Sequence, residues 1–498
     1  MDVFFSSFMT CLDPLNLLLM ALCAVVGVIF GAIPGLSGGM GMTLILPLTF
    51  GMAMYNGFSM LLGMYVGGIS GSFIAAVLVG IPGSASSIAT CYDGYPMSQK
   101  GQTSKALALG IICSFMGTFF SVIIAMLLSG PIADLALKLG PWELFSLCFC
   151  AVVLVASLSR GNAVKGMIAA GIGLLAACIG MDPITASLRF TFNSVYFQGG
   201  IDMVAAMLGI FALLQVSADF AKGNQKLPEV KAKDLKGLGV TLRDFTSNIK
   251  TILLSFVLGV WIGFLPGMGS SLANMVAYAQ CKSASKNPDE WGTGIPEGVM
   301  ASEVSNNAAI GGALIPMMSL GIPGDAPTAL LLSGLIVHGL QPGPLLISTH
   351  PDFVYFVFVM VLLAAIFVCV GELLTKRWFP FLLKVPYHYL YSAILVMCYV
   401  GAYTSTSSMF NVFMMVVFLF IGVLFQMADI PSSPMILAFI LAENLESYFR
   451  KGFSYTDQGI LPFFTRPVSL AFLLLAAFSV FWPMISEKRK AKKAKMHS

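Results

Sequence analysis

The chain has 498 residues, 57% of them hydrophobic and 10% charged, a charged share well under half of the roughly 25% found in soluble domains, which excludes a water-soluble protein. Lys plus Arg number 27 against 23 Asp plus Glu, and the formal net charge of +4 gives no basic field of the kind nucleic-acid binding needs. The 50 glycines exceed the average share of about 7%, and in an apolar chain this suits helices that pack closely or break inside a membrane. The ten cysteines form no C-x-x-C pair and stand beside no His set at metal-ligand spacing. Neither a zinc site nor a disulfide framework is indicated.

Taken in chain order, the opening residues Met1 to Ser7 lack the positive flank of a signal peptide, and the first basic residue is Lys100. The first apolar run is therefore predicted to be a retained span. Runs long enough to cross about 30 Å of hydrocarbon lie at 15–33, 105–130, 143–159, 163–181, 199–220, 247–265, 353–375, 386–402, 408–427 and 467–485. Stretches 36–90 and 268–345 are membrane-like in composition but interrupted by Gly and Pro, and each is predicted to hold short or discontinuous helices. The expected fold is an all-α polytopic membrane protein of about twelve transmembrane helices.

Positive charge collects at Lys222, Lys226, Lys231, Lys233, Lys236, Arg243 and Lys250, and again at Lys488, Arg489, Lys490, Lys492, Lys493 and Lys495. Both segments are predicted to be cytoplasmic, and the N-terminal stretch, which holds no Lys or Arg before Lys100, favours an external N-terminus. The chain then divides into a first transmembrane half at 1–221, a basic loop at 222–250, a second half at 251–485 and a basic tail at 486–498.

The two interrupted stretches echo each other. Gly31-Ala32-Ile33-Pro34-Gly35 opens the first and Gly263-Phe264-Leu265-Pro266-Gly267 the second. Further on, Gly80-Ile81-Pro82-Gly83-Ser84 is matched by Gly321-Ile322-Pro323-Gly324-Asp325. Pro removes a backbone donor and blocks helix continuation, while Gly takes backbone angles that other residues avoid, so a helix stops inside the membrane at each motif. Freed N–H groups at the start of the next half-helix can hold an anion, and freed carbonyls at the other end can ligate a cation. Paired broken segments at corresponding places in two halves point to the binding site of a secondary transporter, with inverted repeats the commoner arrangement.

The residues following the breaks are the candidates for substrate contact: Pro34, Gly35, Ser37, Gly38, Gly83, Ser84, Gly267, Gly269, Ser270, Ser271 and Asn274, with Ser86 and Ser87 beside them. Asn306 and Asn307 offer amide oxygens suited to a hard cation, and Glu303 shares their helix face. Glu303, Asn306, Asn307 and Asp325 are assigned to cation coupling, since an intramembrane carboxylate marks an ion or proton site and would repel a carboxylate substrate. Asp93 and Glu297 read as loop or helix-entry residues. Within the two broken segments no Arg is placed to clamp a carboxylate, so anion binding rests on half-helix N-termini and hydroxyls.

These residues resemble the TctA family, the large membrane subunit of the tripartite tricarboxylate transporters. The resemblance rests on Gly31 to Gly38, on Gly80 to Ser84 followed by Thr90 to Met97 and by Gly101 and Gln102, on Phe264 to Ser270, on Pro296 to Val299, on Ala301 to Ala308 and on Gly321 to Gly324. It covers about residues 15 to 485; Ser270 and Ser271 depart from it, since an Ala-Thr pair often follows that glycine. It implies a bacterial inner-membrane, cation-coupled carboxylate importer; Na⁺ is the expected coupling ion, with H⁺ open on the residues alone, and no cofactor is expected. It also implies two partners, a small TctB-like membrane subunit and a periplasmic TctC-like solute-binding protein.

Two rival readings remain open on the residues alone. A passive channel also uses broken helices, although two matched breaks favour a carrier. An intramembrane hydrolase is suggested by Gly68-Ile69-Ser70-Gly71, a G-x-S-G match that a Gly-rich chain produces cheaply and that needs a base from His338, His350 or His388.

Overall fold

A computed structural model describes residues 2–158, 163–221, 235, 237–383 and 387–480. Most of the basic loop, including Lys222 to Lys233 and Lys236, and the whole tail from 486 onward lie outside the described residues. The first half contains α1 (Asp2–Cys11), α2 (Pro14–Ala32), α3 (Gly38–Ile45), α4 (Met54–Ser70), α5 (Phe73–Val79), α6 (Thr90–Gln99), α7 (Thr103–Ala136), α8 (Pro141–Leu158) and α9 (Ala163–Ala177). A short antiparallel hairpin, β1 (Gly180–Met181) with β2 (Leu188–Arg189), precedes α10 (Met203–Met207), which runs through a widened turn into α11 (Leu214–Ala221).

The second half follows with α12 (Leu242–Ser247), α13 (Ile249–Phe264), α14 (Gly269–Ala284), α15 (Pro296–Leu320), α16 (Ala326–Val337), α17 (Pro344–Thr349) and α18 (Pro351–Thr375). The remaining helices are α19 (Phe379–Leu382), α20 (Tyr387–Thr404), α21 (Met409–Met427), α22 (Ser433–Ser454), α23 (Leu461–Thr465) and α24 (Pro467–Val480). Over the described residues each of the ten uninterrupted runs is mainly helical, the 163–181 run ending in β1. Among the described residues, five helical segments are long and apolar enough to cross a membrane: Pro14–Ala32, Met54–Val79, Thr103–Ala136, Pro351–Leu382 and Met409–Met427.

α22 is an element the sequence reading passed over. It opens with a Pro in its first turn and buries Met435, Ile436, Leu437, Ala438, Ile440 and Leu441 against α8 and α9. Its polar end anchors the hairpin: Arg189 pairs with Glu446 at 2.7 Å and with Asp182 at 3.2 Å, and Arg450 reaches Asp182 at 2.9 Å. Glu443, Glu446 and Arg450 interrupt the apolar pattern of α22 and disguise the helix as a loop.

The core is built from helix pairs that touch through glycine. On α2, Gly27 and Gly31 lie against the carbonyls of Met64 and Gly68 on α4, while Gly71 lies against the Val28 carbonyl. On α13, Gly259 and Gly263 lie against the carbonyls of Ser305 and Ala309 on α15, while Gly312 lies against the Val260 carbonyl. Relative to the Pro-Gly motifs these are the same positions in the two halves. Backbones at such range leave no room for a β-carbon, which is how small residues drive helix association in a membrane. Gly63 and Gly67, the G-x-x-x-G of α4, likewise back onto the Met20 and Ala24 carbonyls of α2. α7 lies across both pairs, packed most extensively on α15.

Candidate functional site

All four Pro-Gly motifs end a helix. α2 stops at Ala32, Gly35 takes φ +89°, and Ser37 caps α3 by accepting the Met40 N–H at 3.1 Å. α5 ends on Gly80 at φ +72°, the equivalent of Gly321 at φ +70° after α15. α13 stops at Phe264, Gly267 takes φ +72°, and α14 begins without a side-chain cap. Asp325 caps α16, taking the Thr328 N–H at 2.9 Å and its hydroxyl at 2.6 Å.

The breaks pair across the halves. The Ala89 N–H donates to Asn274 Oδ1 at 2.8 Å, which joins the second break of the first half to α14 of the second. Conversely, Gly39 at the start of α3 lies beside Pro327 at the start of α16, and the Tyr65 hydroxyl reaches Asp325 Oδ2 at 3.4 Å.

At the first junction lies a closed polar network in which Thr90, Asn274, Ser302, Glu303, Asn306 and Asn307 are all 0% exposed. The Glu303 carboxylate accepts from Thr90 Oγ1, from Ser114 Oγ at 3.2 Å and from Asn306 Nδ2 at 3.2 Å. Asn306 Nδ2 also donates to the Ser86 carbonyl at 2.8 Å, while Asn306 Oδ1 accepts from Asn307 Nδ2 at 2.5 Å. Asn307 Oδ1 accepts from Ser70 Oγ at 3.0 Å and Thr118 Oγ1 at 3.2 Å. Asn274 Nδ2 closes the set on the Ser302 carbonyl at 3.1 Å. A buried carboxylate is tolerable only with such a shell of donors, and every polar atom around it is an oxygen or an amide.

At the second junction, Ser270 Oγ at the uncapped start of α14 is buried and has no hydrogen-bond partner. Gly269 beside it backs directly onto the Asp325 side chain. A cavity of about 30 Å³ is lined there by Gly267, Pro323, Asp325 and Ala326, and closed from the other side by Val155 and Ser433.

Thus Asn274, Glu303, Asn306 and Asn307 come together in one network, with Ser84 one hydroxyl away through Ser86 at 2.7 Å. Gly267, Gly269, Ser270 and Asp325 gather at the second junction, and Pro34, Gly35, Ser37 and Gly38 lead into α3 alongside. Gly38 packs on Gly68, and Gly83 on the Gly31 and Ser72 carbonyls, so both act as spacers. Ser271 is exposed. Tyr65, Ser114 and Thr118 join these clusters without having been marked by the sequence, while Ser70 is marked only by the hydrolase-like motif and Thr90 and Ser302 only within the family resemblance. Ser114 and Thr118 sit four apart on α7, a repeat that puts two hydroxyls on one face.

Asp93 proves structural: buried, it accepts from the Tyr278 hydroxyl at 2.7 Å and from the N–H groups of Gly292, Gly294 and Ile295, tying the 285–295 turn to α6. Ser70, the serine of the hydrolase-like motif, donates to Asn307 rather than to a base. Among the described residues no group of three or more His, Cys, Asp or Glu side chains is placed to hold a metal ion.

Apolar helices of membrane-spanning length, broken in matched pairs around a buried acid and amides, define a multi-pass α-helical membrane protein of the transporter class. The chain belongs to the tripartite tricarboxylate transporter TctA family, whose model matches residues 17–437. This is a family of transporter components and not of enzymes, and its tripartite character means that other subunits work with this one. The chain is 30% identical over 486 residues, 97% of its own length and 96% of the relative's, to an Agrobacterium vitis protein described as an uncharacterised 52.8 kDa protein in the TAR-I ttuC′ 3′ region. A second A. vitis protein, from the TAR-II ttuC′ 3′ region, is 30% identical over 235 residues, 46% of this chain and 97% of that one. No solved structure matches.

Proposed function

We propose that the chain is the membrane-embedded carrier subunit of a cation-coupled importer of a carboxylate, a tricarboxylate such as citrate or a related di- or tricarboxylate, in a bacterial inner membrane. The observation that carries this reading is the buried network in which Glu303 and Asn306 of one half bind Thr90 and Ser86 of the other. A cation entering there meets a carboxylate, two amides and several hydroxyls, an all-oxygen set suited to Na⁺. Substrate carboxylates are assigned to the second junction, where the α14 N-terminus and the Ser270 hydroxyl are free to donate, with a coupled cation offsetting the Asp325 carboxylate that lines the same cavity and would otherwise repel them.

The matched glycine contacts of α2 with α4 and of α13 with α15 support reading the halves as repeats, taken here as inverted, with about twelve crossings in total. The 30 Å³ at the second junction suits a water or two, against roughly 300–1,000 Å³ for ligand pockets. Loading therefore requires the junction to open, which favours alternating access over a standing pore. A small TctB-like membrane subunit and a periplasmic TctC-like binding protein complete the system.

Uptake of labelled citrate by vesicles holding all three subunits, with and without an imposed Na⁺ gradient, tests the reading. Saturable, gradient-driven uptake is expected. Uptake of no carboxylate across a panel of di- and tricarboxylates, with the protein present in the membrane, would reject it.

A further inference from the structure

A further buried carboxyl lies in the apolar body, outside the hydrogen-bonded network of the first junction but close enough to Glu303 to feel its charge. Glu372 sits near the C-terminal end of α18, is 3% exposed, and neither carboxylate oxygen has a hydrogen-bond partner. It lines a cavity of about 390 Å³ between α2 and α18 whose other walls are almost wholly apolar, among them Val25, Ile29 and Phe367. The mouth of this cavity opens sideways: Val25 is 49% exposed and Trp378 54%, and both helices are of membrane-spanning length. The entrance therefore faces hydrocarbon.

Among the described residues no group bonds this acid. Thr375, which also lines the cavity, gives its hydroxyl to the Gly371 carbonyl at 2.7 Å. Lys376, one turn from Glu372, donates to Ser104 Oγ at 2.8 Å and to the Gly237 carbonyl. Arg377 stacks over Trp378 with its guanidinium carbon 5.1 Å from the ring centroid. Of the described residues, the two cations nearest in sequence are thus engaged elsewhere, and the carboxylate faces an open apolar chamber. Polar groups inside a membrane protein are expensive and are retained where something pairs with them, and an apolar pocket with one aimed polar group is the usual form of a small-molecule site.

We propose that the chamber between α2 and α18 is a binding site, entered from the bilayer, for a lipophilic ammonium ion whose hydrocarbon body fills the apolar walls and whose charge pairs with Glu372. Ile29 lies on α2 only five positions before Pro34, so an occupant would rest on the helix that leads into the first break.

The test uses the full chain in membrane vesicles. Dicyclohexylcarbodiimide enters from hydrocarbon and adds to a carboxylic acid: the acid proton passes to one reagent nitrogen, the acyl group to the other, and the N-acylurea retains the whole reagent mass. Mass spectrometry is expected to find this adduct on Glu372. Dodecyltrimethylammonium should suppress it at a concentration about tenfold or more below that needed with dodecanoate, which has a similar chain and the opposite charge. The same cation should raise the melting temperature of the wild type and not of Glu372→Gln, whose side chain keeps the shape without the charge. No adduct on Glu372, equal suppression by the two amphiphiles, or equal stabilisation of the variant would each overturn the proposal.

Discussion

Replacing Glu303 by Gln separates the coupling role of the buried network from its structural one. Gln keeps one oxygen to accept from Thr90, but its amide meets Ser114 and the Asn306 amide, where the carboxylate accepted from both. The Ser114 hydroxyl can rotate to accept, so the structural loss is close to one buried hydrogen bond, about 1–3 kcal/mol. A cation bound at the network loses its only formal counter-charge there, and removing one member of a buried charge pair costs about 2–5 kcal/mol. That difference corresponds to a rise of roughly 30-fold or more in the half-saturating Na⁺ concentration. The assay is substrate uptake titrated with Na⁺ in vesicles, beside the melting temperature of the purified protein. A variant that melts a few degrees lower yet keeps the wild-type Na⁺ titration would refute the assignment of Glu303 to coupling.

Other residues give independent checks. Asn274→Ala strips the buried Ala89 N–H and one bond to the Ser302 carbonyl of their partner; it is expected to destabilise the protein by about 2–4 kcal/mol, with Asn274→Asp, which keeps the acceptor for Ala89, falling in between when thermal melting is compared. Pro266→Ala should let α13 continue, since Leu265 is extended just ahead of the proline, and reduce uptake more than expression, while Gly267→Ala forces a β-carbon into φ +72° and against Val155, costing at least about 1–2 kcal/mol and most of the uptake; normal uptake by either variant would contradict this. The Lys105 ammonium, 2.6 Å away, together with the Thr241 N–H, holds Asp244 down at about 2. Its folded value lies below its unfolded one, so its stabilisation is complete above about pH 4 and is lost as pH falls through 2. Asp244→Asn should therefore melt lower than the wild type at pH 7, with the gap closing toward pH 2.

Glu303, Asn306 and Asn307 are legible because a charged residue and two amides in an apolar run have no ordinary place in hydrocarbon. Their partners are hidden for the converse reason: Ser70, Ser114 and Thr118 are single hydroxyls, the kind that membrane helices usually satisfy on their own preceding turn. The bonds that recruit them span 237, 189 and 189 residues of sequence. Asp325 shows a different limit. With Thr328 three positions on it carries a capping pattern, and the structure uses it so, yet the same carboxylate also faces Tyr65 and the second junction. Asp325 is assigned from the sequence only to cation coupling; its capping role was there to be read from the Thr328 spacing, and its neighbours were not. α22 escaped because Glu443, Glu446 and Arg450 break its apolar run, although Pro434 in its first turn was a usable start signal. The Pro-Gly motifs marked where helices end, but how the four ends cross between halves is set by tertiary packing alone.

The most direct test of the carrier account is counterflow. Vesicles holding the complete transporter are loaded with unlabelled citrate, or with whichever carboxylate the uptake panel selects, and diluted into a trace of labelled substrate with equal Na⁺ on both sides. A site that must open alternately to each face predicts transient accumulation of label above its equilibrium level, abolished when Na⁺ is removed. Monotonic equilibration of the label, indifferent to the internal load and to Na⁺, would show a continuous pore and contradict the account.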